Sequence, residues 1–172
     1  STSEETSHNG KVKGEGMRRS SSQSRQESVR RAYSSAARNP TGKHPFPVGR
    51  AFAQSVGYPE GILNGSPRIS VEAFTGVSNV SILADICRAQ TILDLGCGSG
   101  LDSIVAAGRT GDDGTVLSVD FSAAMLSRAQ LAISQLRLEN VSLLQASGGN
   151  LPLKNASIEL ALVNGIFNLN PL

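Results

Sequence analysis

Apolar residues are concentrated from about Ser70 onward, where short dense runs alternate with stretches of helical spacing. Thr91-Ile92-Leu93-Asp94-Leu95 is dense enough for a buried parallel strand, and Leu101, Ile104, Val105 and Gly108 behind it have the spacing of a crossover helix. A second β-rich run, residues 115–119, follows the turn Gly111-Asp112-Asp113-Gly114 and ends at Asp120. Ser122 then stands as a helix N-cap in front of Met125, Ala129, Ala132, Ile133 and Leu136. Residues 141–145 and 157–164 complete a set of four strands. Strand and helix in alternation predict an α/β domain built on a parallel sheet.

The chain before this pattern divides in two. Residues 1–26 are rich in Ser, Lys, Arg and Glu and offer only Val12 and Met17 for burial. Ordering them costs roughly 1 to 2 kcal/mol per residue with little apolar burial to offset it, so a disordered tail is expected. Residues 27–80 read as a helical cap region. Val29, Ala32, Tyr33, Ala36 and Ala37 share one side of a helix over 27–38, which Pro40, Pro45 and Pro47 terminate, and a shorter helix is expected around Ile62 and Leu63. Residues 81–172 form the third unit.

The candidate chemistry lies where the first strand becomes a helix. Glycines there let the backbone turn tightly and approach a ligand, and free amides at the helix start favour an anionic group. A dinucleotide fingerprint requires G-x-G-x-x-G, and its third glycine falls on Leu101; the chain reads D-x-G-x-G-x-G instead. Asp94 repels a pyrophosphate and attracts an ammonium. Asp120, at the tip of the second strand, is placed to accept from both ribose hydroxyls. These features suit S-adenosylmethionine better than NAD, so an NAD-dependent oxidoreductase is the weakest reading.

Asp94, Gly96, Gly98 and Gly100 match the first motif of the class I S-adenosylmethionine-dependent methyltransferases, which this segment resembles. The resemblance implies a Rossmann-like, doubly wound sheet with helices on both faces. It implies S-adenosyl-L-methionine as cofactor, held by Asp94, Gly96, Cys97, Gly98, Ser99, Gly100 and Asp120. Phe121, with Met125 close by, is expected against the adenine. After the third strand the family usually has Gly-Asp; Ala146 and Ser147 stand there, leaving Ser147 and the backbone around Gly148 for adenine recognition. Asn164, which ends the fourth strand facing the substrate, completes the residues expected to bind the cofactor.

The order of parts from Val29 to Val80 resembles the small-molecule methyltransferases related to arsenite methyltransferase, in which an N-terminal helix and a glycine-containing segment cover the site. The matching pieces are 29–33, Gly57-Tyr58, Gly76 with Asn79, and Asn168-Leu169-Asn170-Pro171. Where those relatives have Gly-Cys-Gly-Asn, this chain has Gly76-Val77-Ser78-Asn79. Trivalent arsenic needs converging thiolates, so arsenite is disfavoured as the acceptor, and no catalytic residue is identified. The family sheet has about seven strands in the order 3-2-1-4-5-7-6. The four found here predict a truncated 3-2-1-4 sheet, whose exposed fourth strand invites self-association. A non-catalytic methyltransferase-like domain is the remaining alternative.

Composition narrows the partners. A formal net charge of +2 over 172 residues argues against a nucleic-acid field, and no apolar run reaches the roughly 18 residues of a membrane span. Two cysteines, Cys87 and Cys97, make no disulfide framework and suggest a reduced, cytoplasmic setting. No metal site is expected. The reading is an S-adenosylmethionine-dependent methyltransferase acting on a small-molecule acceptor, this chain holding mainly the cofactor half.

Overall fold

The computed structural model describes Ser24, residues 27–149 and residues 151–165. The expected tail therefore lies outside the described residues apart from Ser24, as does the segment 168–171. The described chain opens with α1 over residues 27–38, followed by α2 (Arg50–Ser55), α3 (Glu60–Gly65), α4 (Arg68–Val71) and α5 (Val80–Leu83). Strand β1 (Thr91–Leu95) leads through α6 (Leu101–Thr110) to β2 (Thr115–Asp120) and through α7 (Ala123–Leu136) to β3 (Val141–Gln145); β4 is Leu160–Val163. All pairings are parallel, in the order β3-β2-β1-β4, with Leu93 opposite both Leu117 and Ala161. The sheet is the expected 3-2-1-4 arrangement.

Both crossovers step the same way across the sheet, and right-handed connection places α6 and α7 on one face. Side chains alternate along each strand, so Ile92, Val116 and Leu162 share that face, packed with Ala106 and Ala107 of α6 and with Ile86. Among the described residues the helices packed most closely on the sheet are α5, α6 and α7. The helical layer expected on the opposite face has no counterpart among these residues, because the right-handed rule sends each of the two described crossovers to the same side.

Residues 27–80 pack over the start of α6 and along α7. Ala53, Tyr58, Leu63, Val71 and Phe74 enclose Leu101, the first residue of α6. Ala36 and Ala37 of α1 pack on Met125 of α7. Arg128 fastens this contact: its guanidinium donates to the carbonyls of Ala37 and Ile69 and lies 2.8 Å from a Glu72 carboxylate oxygen. Ser122 caps α7 as expected, its hydroxyl accepting from the Met125 amide at 3.3 Å.

Candidate functional site

Strand β1 delivers a loop, Gly96–Gly100, whose three glycines have φ of 76°, 54° and 86°. Such left-handed backbone is unfavourable for residues with a Cβ. The loop is strapped to β2: the amides of Gly96 and Cys97 donate to the Val119 carbonyl at 2.7 and 3.0 Å, and the Gly98 amide donates to Asp120 Oδ2 at 2.9 Å. Ser99 Oγ donates to the Ser70 carbonyl at 2.7 Å, tying the loop to the cap. A Cβ at Gly98 would meet nothing within 4 Å, so the loop presents an open surface there. One at Gly100 would lie 3.0 Å from the Ala129 Cβ, which shows why that position approaches α7 so closely.

Three buried carboxyl groups surround this loop. Asp120 accepts from the Gly98 amide through one oxygen and from the Ser122 amide, at 2.7 Å, through the other. Burial nevertheless raises its pKa above the usual carboxylate range. Asp102, on the first turn of α6, accepts from the Tyr58 hydroxyl, from the Ser81 amide at 3.2 Å and from Asn164 Nδ2 at 2.8 Å. Asp94 accepts from Ser103 Oγ at 2.5 Å through one oxygen, while its other oxygen is buried with no hydrogen-bond partner. Burial, with the charge of Asp102 next in weight, pushes the Asp94 carboxyl up to about 8. The same two causes, burial and then carboxylate charge, lift the Cys97 thiol well above its ordinary range and keep it neutral.

The loop opens into a narrow cleft that is continuous with solvent. Of the residues expected at a cofactor site, Gly96, Cys97, Gly98, Ser99, Asp120, Phe121 and Asn164 line it. Gly100 stands behind the loop against α7. Asp94 is not on the wall: strand alternation turns it with Ile92 toward α6, where Ser103 takes it up. Met125 is fully buried among Ala36 and Ala37, so it belongs to the core. Ser147 and Gly148 are exposed and stand apart from the cleft lining, because β3 is an outer strand and the chain leaves the sheet there.

The cap supplies wall residues that the loop motif does not announce. Tyr33 of α1 lines the cleft and meets Phe121 edge-on, with ring centroids 6.1 Å apart, and packs against Phe46 at 4.5 Å with the rings tilted by 31°. The Arg30 guanidinium lies 5.7 Å from the centre of the Phe121 ring. Burial first, and then the Asp120 charge, raise the Tyr33 phenol. Phe74, Gly76, Asp102 and Gly165 also face the cleft. Tyr33 and Gly76 were legible only as parts of a pattern and Asp102 was not singled out at all, since their burial depends on contacts between distant segments.

A family profile described as a methyltransferase domain matches residues 87–172, half of the chain. The chain belongs to this methyltransferase family. An arsenite methyltransferase of Halobacterium salinarum is 34% identical over 96 residues, 56% of this chain and 25% of that protein. A 2-phytyl-1,4-naphtoquinone methyltransferase of a Nostoc species is 39% identical over 85 residues, 48% of this chain and 37% of the relative. The chain thus spans well under half the length of these two curated methyltransferases. Among solved structures, an arsenic(III) S-adenosylmethionine methyltransferase from Chlamydomonas reinhardtii superposes with a TM-score of 0.51 at 27% identity, covering 74% of this chain and 42% of that one. A phosphoethanolamine N-methyltransferase of Haemonchus contortus shares the fold at 17% identity and a TM-score of 0.56, covering 83% of this chain and 26% of that one. Among the described residues no helix is long and apolar enough to cross a membrane, and no group of three or more His, Cys, Asp or Glu side chains is placed to hold a metal.

Proposed function

We propose that the chain binds S-adenosylmethionine in the cleft beside the glycine loop and forms the cofactor half of a methyltransferase for a small-molecule acceptor. The observation that carries this is the sign of the site. Asp102 and Asp120 put two buried carboxylates on the wall of the cleft. A ligand with an ammonium and a sulfonium is attracted by that field and a pyrophosphate is repelled.

The donor set fits each part of such a ligand. Asp120 accepts from the Gly98 and Ser122 amides, one on each oxygen, and a carboxylate has about four lone-pair positions, so acceptor capacity remains for a ribose hydroxyl. The start of α6, where helix geometry leaves amides without intrahelical acceptors, suits the carboxylate of the amino-acid end. Phe121 and Tyr33 offer an apolar, aromatic wall for the base. Asp94, held protonated by burial, adds no charge to the site and is tied behind the loop by Ser103. When bound, the cofactor supplies a sulfonium-activated methyl group open to in-line attack. The chain's part is to hold that group and exclude water while the acceptor is aligned, which is where most of the rate is gained.

A soft, thiophilic acceptor is the less favoured choice. The arsenite methyltransferases share sequence and fold with this chain, yet Val77 stands where the resembling enzymes carry a cysteine. Cys97 is a buried neutral thiol and Cys87 is exposed, and both are free. Free thiols also support the cytoplasmic reading. The division at residues 26 and 80 is likewise proposed. β4 pairs only with β1 among the described residues, leaving an edge for another strand, from this protein or a second copy.

Isothermal calorimetry with S-adenosylhomocysteine and with NAD tests the assignment, on this chain and on a version extended past Leu172. S-adenosylhomocysteine should bind at least tenfold more tightly, and equal or reversed affinities refute the reading. Asp120→Ala should weaken binding by about tenfold or more, as expected for lost hydrogen bonds to a charged group worth roughly 1.5 to 3 kcal/mol.

A further inference from the structure

Asn164 lines the cleft, yet its side chain has nothing left to offer a ligand. A primary amide has two donors and two acceptor lone pairs. Here Oδ1 accepts from the amides of Val77 and Ser78 at 2.8 and 3.0 Å, and Nδ2 donates to the Ser78 carbonyl at 2.7 Å and to Asp102 Oδ2 at 2.8 Å. Turning the amide over would set its NH2 against two N–H groups and its oxygen against a carbonyl and a carboxylate. The observed orientation is the only one that satisfies all four partners.

Asp102 extends the network into the cap. Beyond Asn164 it accepts from the Tyr58 hydroxyl and the Ser81 amide. Asn79 Nδ2 closes the arrangement by donating to the Gly57 carbonyl at 3.0 Å. One amide and one carboxylate thereby join the end of β4, the first turn of α6 and two cap segments. Gly76 is pressed into the junction: a Cβ there would stand 2.7 Å from Asn164 Cγ and 2.8 Å from Phe74 Cζ. Next to it Val77 remains half-exposed, an apolar side chain beside the cleft mouth.

We propose that Asn164 and Asp102 are positioning residues: a polar latch that holds Gly76–Ser78 over the cleft and sets the direction from which an acceptor reaches the methyl group, with neither side chain contacting the cofactor. The proposal rests on the cofactor reading above. It assigns the acceptor side of the cleft to Gly76 and Val77, and thus predicts an acceptor with an apolar surface facing Val77.

The test combines amide hydrogen exchange with calorimetry, using S-adenosylhomocysteine as the probe on the full 172-residue chain. In Asn164→Asp the new carboxylate faces Asp102 and the Ser78 carbonyl. The Val77 and Ser78 amides should exchange at least tenfold faster while those of β1 and β2 are unchanged, and the probe should bind within threefold of wild type. In wild type the bound probe should slow exchange at Val77 and Ser78; in the variant it should not. The double change Asn164→Asp with Asp102→Asn restores one donor between the pair and should recover part of the protection, which general loosening of the fold would not. Asn164→Ala, which removes the bonds without adding charge, is read in the same way if the charged variant fails to fold. Unchanged exchange at Val77 and Ser78 overturns the latch, and a loss of probe affinity of tenfold or more makes Asn164 a direct contact instead. A wild-type chain that does not bind the probe, whatever its exchange rates, refutes the cofactor reading rather than the latch.

Discussion

Asp94→Asn should change how stability depends on pH. The wild-type carboxyl is fully buried, with one oxygen unpartnered, and is held protonated up to about 8 against an ordinary value of 3.8. The folded state therefore keeps a proton that the unfolded chain has released. The stabilisation this gives is fully present below pH 3.8 and is lost as the pH rises through about 8. Over the middle of that window the slope is one proton, about 1.4 kcal/mol per pH unit. The amide that replaces the carboxyl cannot titrate, so this slope disappears. The variant should gain on the order of 3 kcal/mol on wild type between pH 5 and pH 7, on top of a constant offset for burying the amide. Urea unfolding at pH 5, 6 and 7 measures the difference directly, and contributions from other groups, Asp120 included, largely cancel in it. Parallel stability curves for the two proteins would mean that Asp94 is ionised in the fold, and would remove the argument that burial dominates its chemistry.

Two further substitutions probe the scaffold. Gly100→Ala imposes a Cβ on a backbone with φ of 86° and sets it 3.0 Å from Ala129, so it should cost about 1 to 3 kcal/mol in urea unfolding. A stability equal to wild type would show that α7 yields at this contact. Arg128→Met should destabilise by about 2 kcal/mol, because it strands the carbonyls of Ala37 and Ile69 and leaves Glu72, about one-third exposed, without its closer cation. Proteolysis near residues 38–48 should quicken in this variant while the sheet stays protected.

The sheet was legible because its strands are local statements of burial. β3 occupies residues 141–145, as its composition predicts, and β2 exceeds its predicted run by Asp120 alone. The fourth strand is shorter than residues 157–164, because pairing begins only where Leu160 meets Ile92. Just before it, Glu159 is occupied with Thr91: its amide donates to the Thr91 carbonyl at 2.9 Å and its carboxylate accepts from the Thr91 amide at 2.7 Å. The glycine loop and Asp120 were likewise legible, since spacing and charge suffice to find them. The direction in which Asp94 points was available from the period of two along β1 and needed only the position of α6. In the cap, α1 and α3 lie where the spacing places them, and what could not be read is the remainder. Helices α4 and α5 are four residues each, too short to show periodicity, and Tyr58 and Phe74 are buried by Leu101, distant in sequence but adjacent in the fold. Asp102 and Asn164 acquire their partners only once those segments are assembled.

The bond from the Gly98 amide to Asp120 makes the second acid a structural part of the first motif. Any change at Asp120 meant to alter ligand preference also releases the middle of the loop, so affinity and loop shape move together and selection cannot adjust one alone. The aromatic wall is free of that constraint. Tyr33 and Phe121 touch the cleft through rings whose size can be varied without disturbing a glycine, and accommodation of an enlarged cofactor analogue is therefore most accessible from α1, an element far in sequence from the loop.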